Sequence, residues 1–170
     1  RRPRDDRPVS QTLLTLEQAA SLQGCVLAYG HFTTIHPGHI RYLRHARSLG
    51  AMLAVALMGD GPPDQPPHYP FRQQERAEAL SLLGIADAIV LLQADELSKA
   101  IQTLRPEVLV LGTELQGALG LEQPLALLKA QGGSVQFHAG EVSYASADLL
   151  NSSERDLRHQ RRQQFAAACR

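Results

Sequence analysis

The stretch CVLAYGHFTTIHPGHIRYLRHARSLG, residues 25–50, decides the fold. Residues 25–30 form a continuous apolar run that ends at a glycine, which is typical of a β-strand buried on both faces. Residues 40–50 carry apolar side chains at helical spacing and stop at Gly50, which predicts an α-helix. A buried strand followed closely by an amphipathic helix indicates one repeat of an α/β sheet.

The same alternation continues along the rest of the chain. Further strands are predicted at residues 52–60, 87–93, 108–112 and 134–138, and further helices at residues 72–83, 95–104 and 121–131. Before the first strand, LEQAASL predicts a short helix that ends at Gly24. Five strands alternating with helices imply an α/β fold with a Rossmann-like, doubly wound parallel sheet and helices on both faces. Ligands of such sheets bind beyond the carboxyl ends of the strands.

The domain organisation follows from composition along the chain. The length of 170 residues fits one domain. Residues 1–11 are rich in Arg and Pro and predict a flexible arm, residues 12–150 form the α/β domain, and residues 151–170 predict a C-terminal helix or linker. Residues 61–70 hold five prolines, a density that excludes a helix or a central strand and predicts a long loop.

The overall composition limits which binding partners and which cellular compartment are expected for the protein. Lys and Arg number 17, Asp and Glu number 17, and the formal net charge is zero, so nothing favours a nucleic acid or an acidic membrane as partner. Cys25 and Cys169 are too few and too far apart for a disulfide framework, which predicts a reducing, cytoplasmic location. The sequence has neither a visible signal peptide nor an apolar stretch of the roughly 18 residues that span a bilayer.

The loop after the first predicted strand carries the chemistry. In GHFTTIHPGH, three histidines fall within nine residues, His31, His36 and His39. Pro37 and Gly38 bend the chain, so that His36 and His39 become neighbours at a helix N-terminus, where backbone N–H groups and the helix dipole favour an anion. Imidazoles there could donate to phosphate oxygens. A metal site is the weaker alternative, because no Cys, Asp or Glu stands among these histidines.

The loop resembles the HxGH signature of the cytidylyltransferase-like nucleotidyltransferase superfamily. Within this superfamily, residues 12–150 are most similar to the adenylyltransferase domain of the bifunctional sugar kinase/adenylyltransferases that make ADP-heptose. The glycerol-3-phosphate cytidylyltransferases are the second most similar group. The resemblance rests on a colinear series of segments: TLEQAASL, GHFTTIHPGHIRYLRHARSLG, FRQQERAEALSLLGIADAIV, LRPEVLVLGTE and the GGSV turn.

The resemblance implies a reaction and a set of site residues. The family transfers a nucleotidyl group from ATP or CTP, with Mg²⁺, to a phosphorylated sugar or alcohol and releases pyrophosphate. His36 and His39 would be the catalytic pair that stabilises the transition state. The implied nucleotide-binding residues are Gly30, His31, Phe32, Thr33, Gly38, Arg76, Gly112, Thr113, Glu114, Ser143 and Ser146. A fused or associated sugar kinase domain and a homodimer are further expectations, and no resident metal site is expected.

Several positions depart from the family pattern. Thr33 stands where the family usually carries Asp, and Leu111 replaces the Lys of its KGGDY-like turn. The phosphate-contacting lysine of the family is absent from the loop at residues 61–71, because the chain's two lysines, Lys99 and Lys129, fall on predicted helices. His68, Arg72 or Arg76 could serve in its place.

These departures keep two other functions open. One is a nucleotide-binding or regulatory module without turnover, and the other is a domain that only mediates assembly.

Overall fold

The computed structural model describes residues 13–62, 64–65, 69–93 and 96–138. Six parallel strands form one sheet in the order β1-β4-β3-β2-β5-β6. The strands are β1 (Leu13–Thr15), β2 (Val26–Gly30), β3 (Leu53–Leu57), β4 (Ala88–Leu91), β5 (Val108–Gly112) and β6 (Ser134–His138).

Four α-helices connect these strands. They are α1 (Pro37–Ser48), α2 (Gln73–Leu83), α3 (Leu97–Leu104) and α4 (Glu122–Ala130). Two short 3₁₀ helices span Gln18–Ser21 and Thr113–Leu115. None of the helices within the described residues has the length and apolar character that crossing a bilayer requires.

The sheet is buried on both faces, as the apolar runs predict. Val26 and Ala28 of β2 belong to the cluster formed with α1 and α2. Leu27, between them, belongs to the opposite cluster, formed with α3 and Leu128 of α4. Successive strand residues point to opposite faces, so an unbroken apolar strand fills both layers. The predicted doubly wound sheet with helices on both faces is therefore confirmed.

The strand count differs from the prediction, since the sheet has six strands instead of five. The extra strand, β1, pairs in parallel with β4 from Leu13↔Ile89 to Thr15↔Leu91. The predicted helix at LEQAASL is reduced to a 3₁₀ turn. A three-residue strand is too short to show alternation in the sequence. It forms because the edge of β4 offers unpaired backbone groups.

The strand order fixes where a ligand crevice forms. From β2 the chain steps to β3 and β4 on one side, then crosses the sheet and continues through β5 and β6 on the other. The switch point therefore lies between the carboxyl ends of β2 and β5, where open α/β sheets bind their ligands. The segments that begin after Gly30 and Gly112 border this crevice.

Some predictions lie outside the described residues. They concern the flexible arm at residues 1–11, the linker or helix at residues 151–170, and three site candidates, His68, Ser143 and Ser146.

Candidate functional site

Helix α1 begins at the histidine pair. His36 is its N-cap residue with extended backbone, φ −135° and ψ 169°, and Pro37 occupies the first helical position. Proline suits this position because its missing N–H would lack an intrahelical partner anyway. The rings of His36 and His39 stack with centroids 4.0 Å apart. The structure thus brings together the two residues that the sequence predicts as neighbours.

Both imidazoles are oriented by the backbone of this turn. The Gly38 N–H donates to Nδ1 of His36 at 3.0 Å, and the His36 N–H donates to Nδ1 of His39 at 3.4 Å. With Nδ1 used as an acceptor, a neutral ring carries its proton on Nε2, where it is a hydrogen-bond donor. Gly38 is required here, because a Cβ on it would lie 2.7 Å from Cε1 of His36.

The segment between β2 and α1 packs beneath the pair. Phe32 is buried and adopts φ 48°, a left-handed conformation that costs free energy for a residue with a bulky side chain. This conformation places its ring 5.3 Å from the ring of His39 and 3.2 Å from the position of a Cβ on Gly30. Thr33 is also buried. Such strain is common where a segment is held for function.

Arg76 of α2 is buried beside the site, with its side chain 1% exposed. Its guanidinium donates to the carbonyl oxygens of Phe71 at 3.1 Å, His31 at 2.5 Å and Met58 at 3.0 Å. It also forms an ion pair with Asp60 at 2.8 Å. Four N–H donors are therefore engaged by the segments that follow β2 and β3 and that precede α2. The predicted contact of Arg76 with a nucleotide stays a prediction.

The turn after β5 forms the other wall of the crevice. Thr113 and Glu114 lie in the 3₁₀ helix that directly follows Gly112. The Glu114 carboxylate covers the Cα of Gly112, so that a Cβ there would collide with it. The same charge acts on His31 and Tyr42 across the crevice. Gly112 therefore leaves the space that this acidic side chain occupies.

Burial lowers the pKa of two histidines of the site, His39 and His31. Removal from water lowers the pKa of His39 from its usual 6.5 to about 4, and the neighbouring His36 and His31 lower it further. A backbone hydrogen bond with Thr34 acts in the opposite direction. Burial also lowers the pKa of His31, with Arg76 adding to the effect and Glu114 opposing it. Near neutral pH His39 is therefore an uncharged donor.

This depressed pKa predicts a pH dependence of stability. Between about pH 6.5 and pH 4 the unfolded chain binds a proton at His39 that the folded chain does not, so the free energy of unfolding falls as the pH falls. We expect a loss of about 1–2 kcal/mol across this window, because contact with solvent weakens the burial penalty. Urea denaturation at pH 7, 5.5 and 4.5 measures it.

The matched variant for this measurement is His39→Asn. It should flatten the dependence without abolishing it, since His31 contributes in the same direction. Parallel profiles for the two proteins would contradict the assignment to His39.

The structure also shows three features that we did not predict from the sequence. Tyr42, one turn after His39, hydrogen-bonds to the ends of β2 and β5. The rings of His45 and His138 stack with centroids 4.3 Å apart. Asp60 accepts from Arg76 and from the Gln73 N–H at 2.6 Å. Tyr42 had a sequence signal in its position on the apolar face of α1, and His138 had one in its place at the end of the last predicted strand.

The lysine on α3 and the residues that could replace the family's loop lysine differ in how accessible they are. Lys99 forms surface ion pairs with Glu96 at 3.2 Å and Glu17 at 3.7 Å, on the α3 side of the sheet. Of the three residues that could replace the missing loop lysine, Arg76 is buried, Arg72 is exposed and His68 is outside the described residues.

In the part of the chain that the structure describes, no three His, Cys, Asp or Glu side chains are grouped to hold a metal ion.

The sequence is similar to those of several known proteins. The sequence model described as cytidylyltransferase-like matches residues 27–136, a span that includes the histidine pair, Arg76 and the turn after β5. An FAD synthase from Methanosarcina barkeri is 33% identical over 102 residues, which cover 59% of this chain and 73% of the relative.

Two further similarities extend the comparison. The bifunctional protein HldE of Citrifermentans bemidjiense is 34% identical over 116 residues, 65% of this chain. The chain spans only 23% of the length of that protein. The crystal structure of a lipopolysaccharide core biosynthesis protein from Thermoplasma volcanium superimposes with a TM-score of 0.53 and 24% identity, covering 67% of this chain and 93% of that one. This last likeness supports the fold alone.

Proposed function

The chain belongs to the cytidylyltransferase-like family of nucleotidyltransferases, and from this premise we propose that it transfers AMP or CMP from a nucleoside triphosphate to the phosphate of a sugar or alcohol. An oxygen of the acceptor phosphate attacks the α-phosphorus. The bond from the α-phosphorus to the oxygen that bridges to the β-phosphorus breaks, and pyrophosphate leaves. Such a reaction needs positioning and charge stabilisation more than covalent help from the protein.

The observation that carries the proposal is the stacked His36–His39 pair at the start of α1, at the switch point of the sheet. Each ring uses Nδ1 as an acceptor and therefore carries a donor at Nε2. Negative charge grows on the leaving pyrophosphate during transfer. Fixed donors stabilise that charge without reorganising, and the dipole at the N-terminus of α1 acts in the same sense.

The rest of the nucleotide is proposed to lie across the crevice. Residues 30–33 and Gly38 would line the triphosphate side. A carboxylate repels phosphate, so Glu114, with Gly112 and Thr113, would face the ribose and base instead. Ser143 and Ser146, implied by the resemblance, complete the proposed set. Mg²⁺ would arrive with the triphosphate, because this ion is usually held by substrate phosphates and water with one or two carboxylates.

We prefer adenylyl over cytidylyl transfer. The resemblance leans towards the ADP-heptose type, and an FAD synthase is among the relatives; FAD contains an adenylate joined to a phosphorylated alcohol. The same reasoning proposes residues 12–150 as the transferase domain, residues 1–11 as an arm and residues 151–170 as a helix or linker. A fused or associated sugar kinase, a homodimer and a cytoplasmic location remain parts of this proposal.

Pyrophosphate release tests the proposed function directly. The full chain is incubated with ATP or CTP, Mg²⁺ and, one at a time, a panel of sugar phosphates, glycerol 3-phosphate and FMN. We expect release that depends on one class of acceptor and on one base. Nucleotide binding without release, unaffected by His36→Ala, would instead favour the non-catalytic module, which the absent loop lysine and the engaged guanidinium of Arg76 support. Absence of nucleotide binding by calorimetry would favour an assembly role.

A further inference from the structure

Strands β2 and β5 separate before they reach their carboxyl ends. The last residues that pair between them are Ala28 and Val110, although β2 continues to Gly30 and β5 to Gly112. The backbone groups beyond the last pair need other partners, because an unsatisfied buried N–H or C=O is costly. This separation is also what opens the crevice at the switch point.

The hydroxyl of Tyr42 lies in the gap between the two strands. It donates to the carbonyl oxygen of Val110 at 2.5 Å and accepts from the Tyr29 N–H at 3.3 Å. Tyr42 is 6% exposed. Burial raises the pKa of its phenol, so the hydroxyl keeps the proton that it donates to β5. The Tyr42 hydroxyl therefore takes the place of a direct backbone hydrogen bond between β2 and β5, which the sheet lacks here.

Tyr42 also belongs to the packing that supports the histidine pair. It follows His39 by one helical turn on α1, and its ring centroid lies 6.1 Å from that of Phe32. The Phe32 ring in turn packs against the ring of His39, with centroids 5.3 Å apart. The hydroxyl thus connects the sheet ends to the same helix turn that carries the imidazoles. A displacement of about 1 Å at such a site can cost on the order of 100-fold in rate.

We propose that Tyr42 is a positioning residue for nucleotidyl transfer: its hydroxyl joins the separated ends of β2 and β5 and fixes the His36–His39 pair relative to the turn at Gly112. This positioning role rests on the proposed function, because that function assigns the crevice to a nucleotide. The hydroxyl sets how the two walls of the crevice align. Tyr42 does not itself contact the reacting atoms.

The variant Tyr42→Phe removes the hydroxyl and keeps the ring. We expect kcat for pyrophosphate release to fall about 10- to 100-fold, with KM for the triphosphate within about threefold of wild type. The matched control is Leu43→Val, which alters a buried residue of the same helix and the same apolar cluster without a polar link to the strands. Its kcat should stay within about twofold, even if its Tm falls as far as that of Tyr42→Phe.

A second measurement reports the ring positions without needing turnover. The Cε1–H NMR signals of His36 and His39, assigned from single replacements, should move in Tyr42→Phe and stay in place in Leu43→Val. Unmoved signals, or an unchanged kcat with a lowered Tm, would overturn the positioning role. A wild-type chain without pyrophosphate release would remove the proposed function alone, since the NMR comparison still decides whether the hydroxyl fixes the pair.

Discussion

Replacing His39 with alanine is expected to lower kcat for pyrophosphate release by about 100- to 1000-fold, the usual effect of losing one fixed donor to a developing charge. The ring is held by the His36 N–H and stacks on His36 at 4.0 Å, so its position is set before substrate binds. Burial keeps it neutral, with a pKa of about 4. Steady-state kinetics with saturating triphosphate and acceptor measure the loss.

The control for this variant is His45→Ala, on the same helix. His45 stacks on His138 at the end of β6 and makes no contact with the pair among the described ring contacts. We expect its kcat within about twofold of wild type. The double variant His36→Ala/His39→Ala should lose less than the product of the two single losses, because the rings act as a unit. A His39→Ala enzyme with more than a tenth of wild-type kcat would contradict the assignment.

The variant Arg76→Leu is expected to lower the free energy of unfolding by about 3–5 kcal/mol, because each buried acceptor that is left without its donor costs about 1–3 kcal/mol. Its guanidinium is buried and binds three carbonyl oxygens and the Asp60 carboxylate. Leucine fills part of the volume but leaves these acceptors without their donors, and unsatisfied buried groups are costly. Urea denaturation at pH 7 measures the change.

Two further variants make the Arg76 result specific. Arg76→Lys should recover only part of the loss, because an ammonium group cannot reproduce the planar fork that reaches several acceptors at once. Arg44→Leu, the same exchange at an exposed position of α1, should change stability by no more than about 0.5 kcal/mol. Equal destabilisation by the two leucine variants would show that Arg76 does not connect the site segments.

The sheet and its helices were largely predictable because their signals are local. Each predicted strand from residue 25 onwards corresponds to an observed one, since a run of Val, Leu and Ala buries both faces of a parallel strand. Gly84 ends α2 with φ 63°, a conformation that glycine adopts without cost. β1 was missed because three residues carry no period, and its pairing depends on the edge of β4.

The placement of the histidine pair was predictable from the sequence, whereas its surroundings depend on contacts that no local pattern reveals. The HxGH spacing placed His36 and His39 at a helix start, and the structure stacks them there. In contrast, the resemblance implied a contact of Arg76 with the nucleotide, whereas the structure adds a hydrogen bond from its guanidinium to the backbone of His31, 45 residues away. Charge and position in the chain did not indicate that its guanidinium is enclosed.

By itself, the sequence determined the alternation of strands and helices, the turn that begins α1 and the pairing of two imidazoles, because each depends on residues within a few positions of one another. Only the tertiary structure decided that β2 and β5 part at their ends and that Tyr42 joins them through Val110, 68 residues further along the chain. The physical reason is that a hydrogen bond between distant residues depends on how the layers pack, and packing combines the whole chain at once.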